Sequence, residues 1–273
     1  MTATAPSVPI PVITEPKGLS RFTGAVSDTL AVTWRNLLAY LRVPQLLIFS
    51  TIQPVVFVLL FRYVFGGAIP IQGGDYVDYL MPGIFVQTVV FGALGAAVGL
   101  AADMQTGLIE RFRSLPMARS AVLTGRTTAD LIRNVFVVLL MGVVGFLVGF
   151  RVQTNVLSTL AAVVLVVLFG YAFSWIFATV GLMVGDPETA QAAAFPVMAP
   201  LVFASTAFVP LKTMPGWLQA FAAHQPVSAT VDATRALLSG GATLTPVLKC
   251  LGWIAAILLV FAPIAVHRYR KVA

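Results

Sequence analysis

Reactive and ligating side chains are scarce in this 273-residue sequence, and their neighbours exclude most familiar chemistry. A phosphate-cradling loop needs Gly-Lys-Ser/Thr. The four lysines follow Pro16, Leu211, Leu248 and Arg270, so no such loop exists and an ATP-driven process must take its ATPase from another polypeptide. His224 and His267 lie far apart and Cys250 is the single cysteine, so no metal site and no disulfide framework is expected. No Ser/His/Asp set is visible, and no catalytic residue is assigned. Two polar features remain. Gln53, beside Pro54, and Gln87 interrupt long apolar runs. They could line a substrate path, although an interhelical hydrogen bond is the plainer use.

The second feature is the stretch Gly107-Leu108-Ile109-Glu110-Arg111-Phe112-Arg113-Ser114-Leu115-Pro116-Met117. Leu108, Ile109, Phe112 and Leu115 fall on one face at helical spacing, and Glu110 and Arg113 can pair at i,i+3. Pro116 then ends the turn because its ring clashes with preceding helical carbonyls. By spacing alone this is either a short docking helix or a solvated loop whose arginines only set topology.

The elements that carry these residues follow from composition. The chain is 59% hydrophobic and 10% charged, where soluble domains carry about 25% charged residues. That excludes an ordinary soluble enzyme, a disordered chain and a nucleic-acid binder, and it implies an all-α integral membrane protein. The net charge of +7 sits at the edges of apolar runs, which suits a membrane-lipid surface and no nucleic acid. Thirteen arginines against four lysines point weakly to a GC-rich bacterial genome.

A membrane-spanning helix needs about 17–25 apolar residues, so uncharged intervals serve as a ruler. They run from Arg42 to Arg62, Asp78 to Asp103, Arg133 to Arg151, Arg151 to Asp186, Glu188 to Lys212 and Lys249 to Arg268. Six transmembrane helices are therefore expected within 43–267. No ionisable residue is expected inside a span, which argues against an ion-coupled carrier. The interval 213–231 holds Pro215, Gly216, His224, Gln225 and Pro226, and reads as two short helices or a re-entrant segment. Lys and Arg divide 12 to 5 between the two sides, which puts both termini in the cytoplasm. Residues 1–19 read as a disordered tail rich in proline, and 268–273 as a basic tail. No cleaved leader is expected. Over 20–42, Phe22, Val26, Leu30, Trp34, Leu37 and Leu41 share one helical face opposite Arg21, Asp28, Arg35 and Arg42. This predicts an amphipathic helix lying in the membrane interface. Gly95-xxx-Gly99 and Gly145-xxx-Gly149 read as close-packing signals.

Three stretches together resemble the ABC-2 type transporter permeases, in particular the daunorubicin/doxorubicin-resistance type of drug exporter subunit. They are 104–126, then Phe208-Val209-Pro210-Leu211-Lys212-Thr213-Met214-Pro215-Gly216-Trp217-Leu218, then His224-Gln225-Pro226 leading to Arg235. A common form of the third has Asn before the proline, where Gln225 stands here. The resemblance implies a multi-pass subunit of the bacterial cytoplasmic membrane that exports hydrophobic or amphiphilic compounds, with a lipid, glycolipid or polysaccharide as the alternative cargo. It implies two cytoplasmic ATPase partners and a second permease, identical or related. ATP and Mg would be used by the ATPase, and no cofactor is expected on this chain. It makes 108–117 a coupling helix, with Glu110, Arg111 and Arg113 as charged contacts and Leu108, Phe112, Leu115 and Pro116 as its apolar part and stop. It makes 213–226 an external closure that includes Pro215, Trp217 and Pro226. Substrate would lie between two permeases, against the first, second and fifth spans.

Overall fold

The computed structural model describes residues 19–42, 44–66, 75–113 and 119–272, and among them there is no strand. The expected tail 1–19 lies outside this range apart from Leu19, which begins the first helix. Helix α1 (Leu19–Arg42) is followed by α2 (Pro44–Leu59), which runs on as a π-helical turn, Leu60–Phe65. Then come α3 (Tyr76–Gln105), α4 (Leu108–Arg113), α5 (Arg119–Leu147), α6 (Val156–Val184) and α7 (Pro187–Phe203). Short helices α8 (Gly216–His224) and α9 (Pro226–Ser239) precede the long α10 (Leu244–Val272). Among the described residues four helices are long and apolar enough to cross a membrane: α3, α5, α6 and α10. The first and fifth uncharged intervals fall on the shorter α2 and α7. Helix α7 carries two prolines, Pro196 and Pro200.

Helix α3 is the axis of the bundle, with every residue from Leu80 to Val90 buried. It meets α6 closely because a Cβ on Gly181 would come within 2.4 Å of the Ala97 carbonyl oxygen. Successive long helices run back and forth between two ends. At one end α3 stops through Gly107, whose φ of +67° favours glycine and turns the chain into α4. The last turns of α10 reach that same end, where Tyr269 is buried in a cluster with Leu100, Ile109, Val122 and Trp175. Asp186 caps α7 there, accepting from the Thr189 N–H at 2.8 Å and hydroxyl at 2.7 Å, and these bonds hold its carboxyl below the ordinary range. At the other end the chain before α6 bonds to α9, the Gln153 N–H donating to the Leu238 carbonyl at 2.9 Å.

Helix α1 follows its amphipathic pattern with a shift of face. It packs on α5 through Thr29, Val32, Thr33 and Asn36, with the Thr33 hydroxyl donating to the Gly125 carbonyl at 3.1 Å. That seam lies beside the apolar face, so Val26, Leu30, Trp34 and Leu41 stay exposed, Trp34 to 60%. The small and hydroxylated residues fit against Gly125, where an added Cβ would strike Val32 at 2.7 Å.

Candidate functional site

Gln53 and Gln87, distant in sequence, line one cavity of about 520 Å³. Helix α2 supplies Gln53 and Pro54, α3 supplies Gln87, Thr88, Phe91 and Leu94, α5 supplies Arg133, and α7 supplies Gln191. Neither Gln53 nor Gln87 bonds another described side chain or carbonyl, so the interhelical hydrogen bond expected for them is absent among the described residues. The Oε1 of Gln87 is buried with no partner, although the residue is only 1% exposed.

Beneath this cavity lies a charge network that the uncharged-interval ruler could not register. Helix α5 begins at Arg119 rather than near Arg133, which carries Arg126, Asp130 and Arg133 into the bundle. Asp130 is 1% and Arg133 8% exposed, with Arg133 at the middle of α5. The expectation that ionisable groups stay out of the long apolar helices is therefore corrected: a ruler bounded by charges puts every charge at an end by construction. The Arg133 guanidinium donates to the Gly92 carbonyl and to Asn134 Oδ1, and stands 4.0 Å from Asp130 Oδ1. The same oxygen of Asp130 accepts from the Tyr40 hydroxyl at 3.0 Å. Burial first, and then the Asp130 carboxylate, push the Tyr40 phenol up to about 12. Nearer α4, Asp103 Oδ2 faces Arg126 at 3.3 Å and Arg35 at 3.5 Å, joining α3, α5 and α1 at one carboxylate.

The glycines of α3 make room for these arginines. An added Cβ would lie 2.7 Å from Arg133 Nη2 at Gly92, 3.1 Å from Nη1 at Gly95, and 1.4 Å from Arg126 Nη2 at Gly99. Gly95-xxx-Gly99 is thus a seat for guanidinium groups. Of the second pair, Gly145 faces Met81 and Gly149 ends α5 with a φ of +105°.

In α4, Ile109 is buried, Leu108 half-buried and Glu110 exposed. The side chains of Arg111, Phe112 and Arg113, and all of Leu115 and Pro116, lie outside the described residues. At the opposite end Pro215 precedes α8, Trp217 is 75% exposed and Pro226 opens α9. Gln225 caps α9 by accepting from the Val227 N–H at 3.1 Å, while its Nε2 donates to the Leu201 carbonyl at 2.8 Å and ties α9 to α7. Arg235 closes the same corner. It donates to the Thr206 and Tyr79 carbonyls at 2.9 and 3.2 Å and to Asp232 at 3.1 Å, and lies 3.8 Å above the Tyr79 ring. Gln191, Asp130 and Arg133 were not singled out as site residues in the sequence; the signal available was an Asp-x-x-Arg pair leading an apolar run, and a lone glutamine among alanines. Among the described residues no group of three His, Cys, Asp or Glu could hold a metal ion.

The family profile described as ABC-2 type transporter matches residues 27–239. A daunorubicin resistance ABC transporter permease protein, DrrB1, of Streptomyces coeruleorubidus is 36% identical over 90% of this chain and 87% of its own length. The "Probable doxorubicin resistance ABC transporter permease protein DrrC" of Mycobacterium tuberculosis is 32% identical over 90% and 89%. The doxorubicin resistance ABC transporter permease protein DrrB of the same species is 29% identical over 72% and 70%. With a bundle of apolar helices and a family match over most of its length, the chain belongs to the ABC-2 type transporter permeases.

Proposed function

We propose that this chain is the membrane-spanning subunit of an ATP-driven exporter that moves hydrophobic or amphiphilic compounds, of the drug or antibiotic class, out across a bacterial cytoplasmic membrane. The carrying observation is the cavity of Gln53, Gln87 and Gln191 between apolar walls, in a chain akin along most of its length to drug-resistance permeases. ATP and Mg belong to two cytoplasmic ATPase subunits; this chain binds no cofactor and hydrolyses nothing. Six crossings, by α2, α3, α5, α6, α7 and α10, place both termini in the cytoplasm, and the burial of Tyr269 beside Ile109 supports an even number. A second permease covers the exposed faces of α2 and α7, so the cavity opens between the two.

Helix α4 is the coupling helix, extending to residue 117. Glu110, Arg111 and Arg113 meet charges on the ATPase, Leu108, Phe112 and Leu115 form the apolar part, and Pro116 stops the helix. Ile109 pins it to the bundle, so motion of the ATPases reaches α3 and α5 directly. Such coupling requires that the helix contact the two ATPase states differently. Pro215, Trp217 and Pro226 belong to the external closure. The test is reconstitution with the ATPase in lipid vesicles. Glu110→Lys or Phe112→Asp leaves the permease inserted and abolishes the substrate-stimulated part of ATP hydrolysis; full stimulation in both variants overturns the coupling assignment.

A further inference from the structure

Arg133 occupies a position that helix packing alone does not require. It lines the 520 Å³ cavity yet is 8% exposed, at the middle of a membrane-length helix. Charged side chains at such depth are expensive and are retained where they meet a partner or a pathway. A guanidinium presents five N–H donors. Among the described residues its hydrogen bonds leave from Nη2, to the Gly92 carbonyl and Asn134 Oδ1, and its Cζ lies 5.6 Å from the Tyr40 ring centroid. Its counter-ion is held off: Asp130 Oδ1 is 4.0 Å away and already accepts from Tyr40. Gly92 and Gly95 let the group approach α3 closely, and it lines the cavity. Around it, Gln53 and Gln191 offer amide groups, Gln87 Oε1 awaits a donor, and Pro54, Phe91, Leu94 and Val98 supply an apolar wall.

We propose that Arg133 is the specificity-determining group of this cavity, and that its ligand is an amphiphile with an acidic head, carboxylate or phosphate, and at least one hydroxyl or amide donor. The acid completes the unspent fork of the guanidinium, where a planar, bidentate geometry is strongest. The donor satisfies Gln87 Oε1, and the tail lies along Phe91, Leu94 and Val98. A cationic head has no such fork to complete and meets the charge of the guanidinium, which Asp130 at 4.0 Å offsets in part. This inference names the cargo class of the exporter proposed above and builds on that reading of the cavity.

The test uses the full chain in phosphatidylcholine nanodiscs and three fluorescent probes that share a dansylamino-undecyl body and end in carboxylate, phosphate or trimethylammonium. The two acids bind at least tenfold tighter than the ammonium probe, and whichever acid binds tighter identifies the source chemistry. Arg133→Gln abolishes that preference by lowering acid affinity, and Arg133→Lys restores part of it. Gln53→Glu, which leaves every Arg133 contact in place, lowers acid affinity and keeps the fold checkable by helicity and elution volume. Equal affinity of the three probes for the unmodified chain, or an acid preference that survives Arg133→Gln, overturns the inference. Binding is read on the permease alone. An acid preference without ATP-dependent movement in the reconstituted complex therefore defeats the export reading, whereas movement blind to head charge defeats this inference only.

Discussion

Two arginines, Arg235 at the end that carries α8 and α9 and Arg133 midway along α5, are employed differently. Two backbone carbonyls, a carboxylate and an aromatic face account for the ends of the Arg235 guanidinium, and it fastens α9 to the start of α3 and to the segment after α7. Arg133 donates to the Gly92 carbonyl through Nη2 and lies 5.6 Å from the Tyr40 ring centroid, with its counter-ion 4.0 Å away and a cavity beside it. The same side chain is a joint in one place and an open hand in the other. Where the remaining donors sit, rather than charge, separates the two uses: Arg235 Nε is buried without a partner, whereas Arg133 lines a cavity.

The largest effect expected of that contrast falls on the joint. Arg235→Ala leaves the Tyr79 and Thr206 carbonyls and Asp232 without their donor, a loss of about 3 kcal/mol. It should appear as a lower thermal-unfolding midpoint in detergent, and an unchanged midpoint would show that the corner is held by other contacts. At the Arg133 corner the sharper probe is pH. The folded protein holds the Tyr40 proton more tightly than the unfolded chain, so this stabilisation is complete below pH 10 and is lost as pH rises towards 12. The amount is about 2.7 kcal/mol, and Tyr40→Phe should lack this alkaline step; an identical alkaline transition in the variant would remove Tyr40 from the network. The smallest effect belongs to Arg35→Gln, because its contact with Asp103 is 3.5 Å long and partly exposed. A change below about 1 kcal/mol is expected, while a larger loss would mean that Asp103 depends on α1 more than on Arg126.

The helical, membrane-spanning nature of the chain was readable because it depends on long sums of hydropathy. Gln53 and Gln87 were readable too, since a polar side chain in an apolar run stands out singly. Asp130 and Arg133 were not: charge was used to mark helix ends, and only the neighbouring glycines of α3 explain how two ionised groups fit inside. Those glycines advertised close approach without saying whether backbone or guanidinium would fill the space. Helix α1 shows the same limit. Its periodicity located an apolar face, but the residues that grip α5 are threonines, a valine and an asparagine beside that face, chosen by fit against Gly125. Gln225 departs from the common asparagine, and the longer side chain caps α9 while reaching the Leu201 carbonyl.

The two prolines of α7 carry a consequence for its surroundings. A proline has no N–H to give, so Pro196 and Pro200 release the carbonyl oxygens of Ala192 and Pro196 from the helical ladder. These oxygens lie on the side of α7 that also shows Gln191 and Phe195 outward. Hydrocarbon offers no hydrogen bond, and unbonded carbonyls within it cost several kcal/mol each. A stripe of helix with such oxygens is costly to set against acyl chains, and water or protein against it removes that cost.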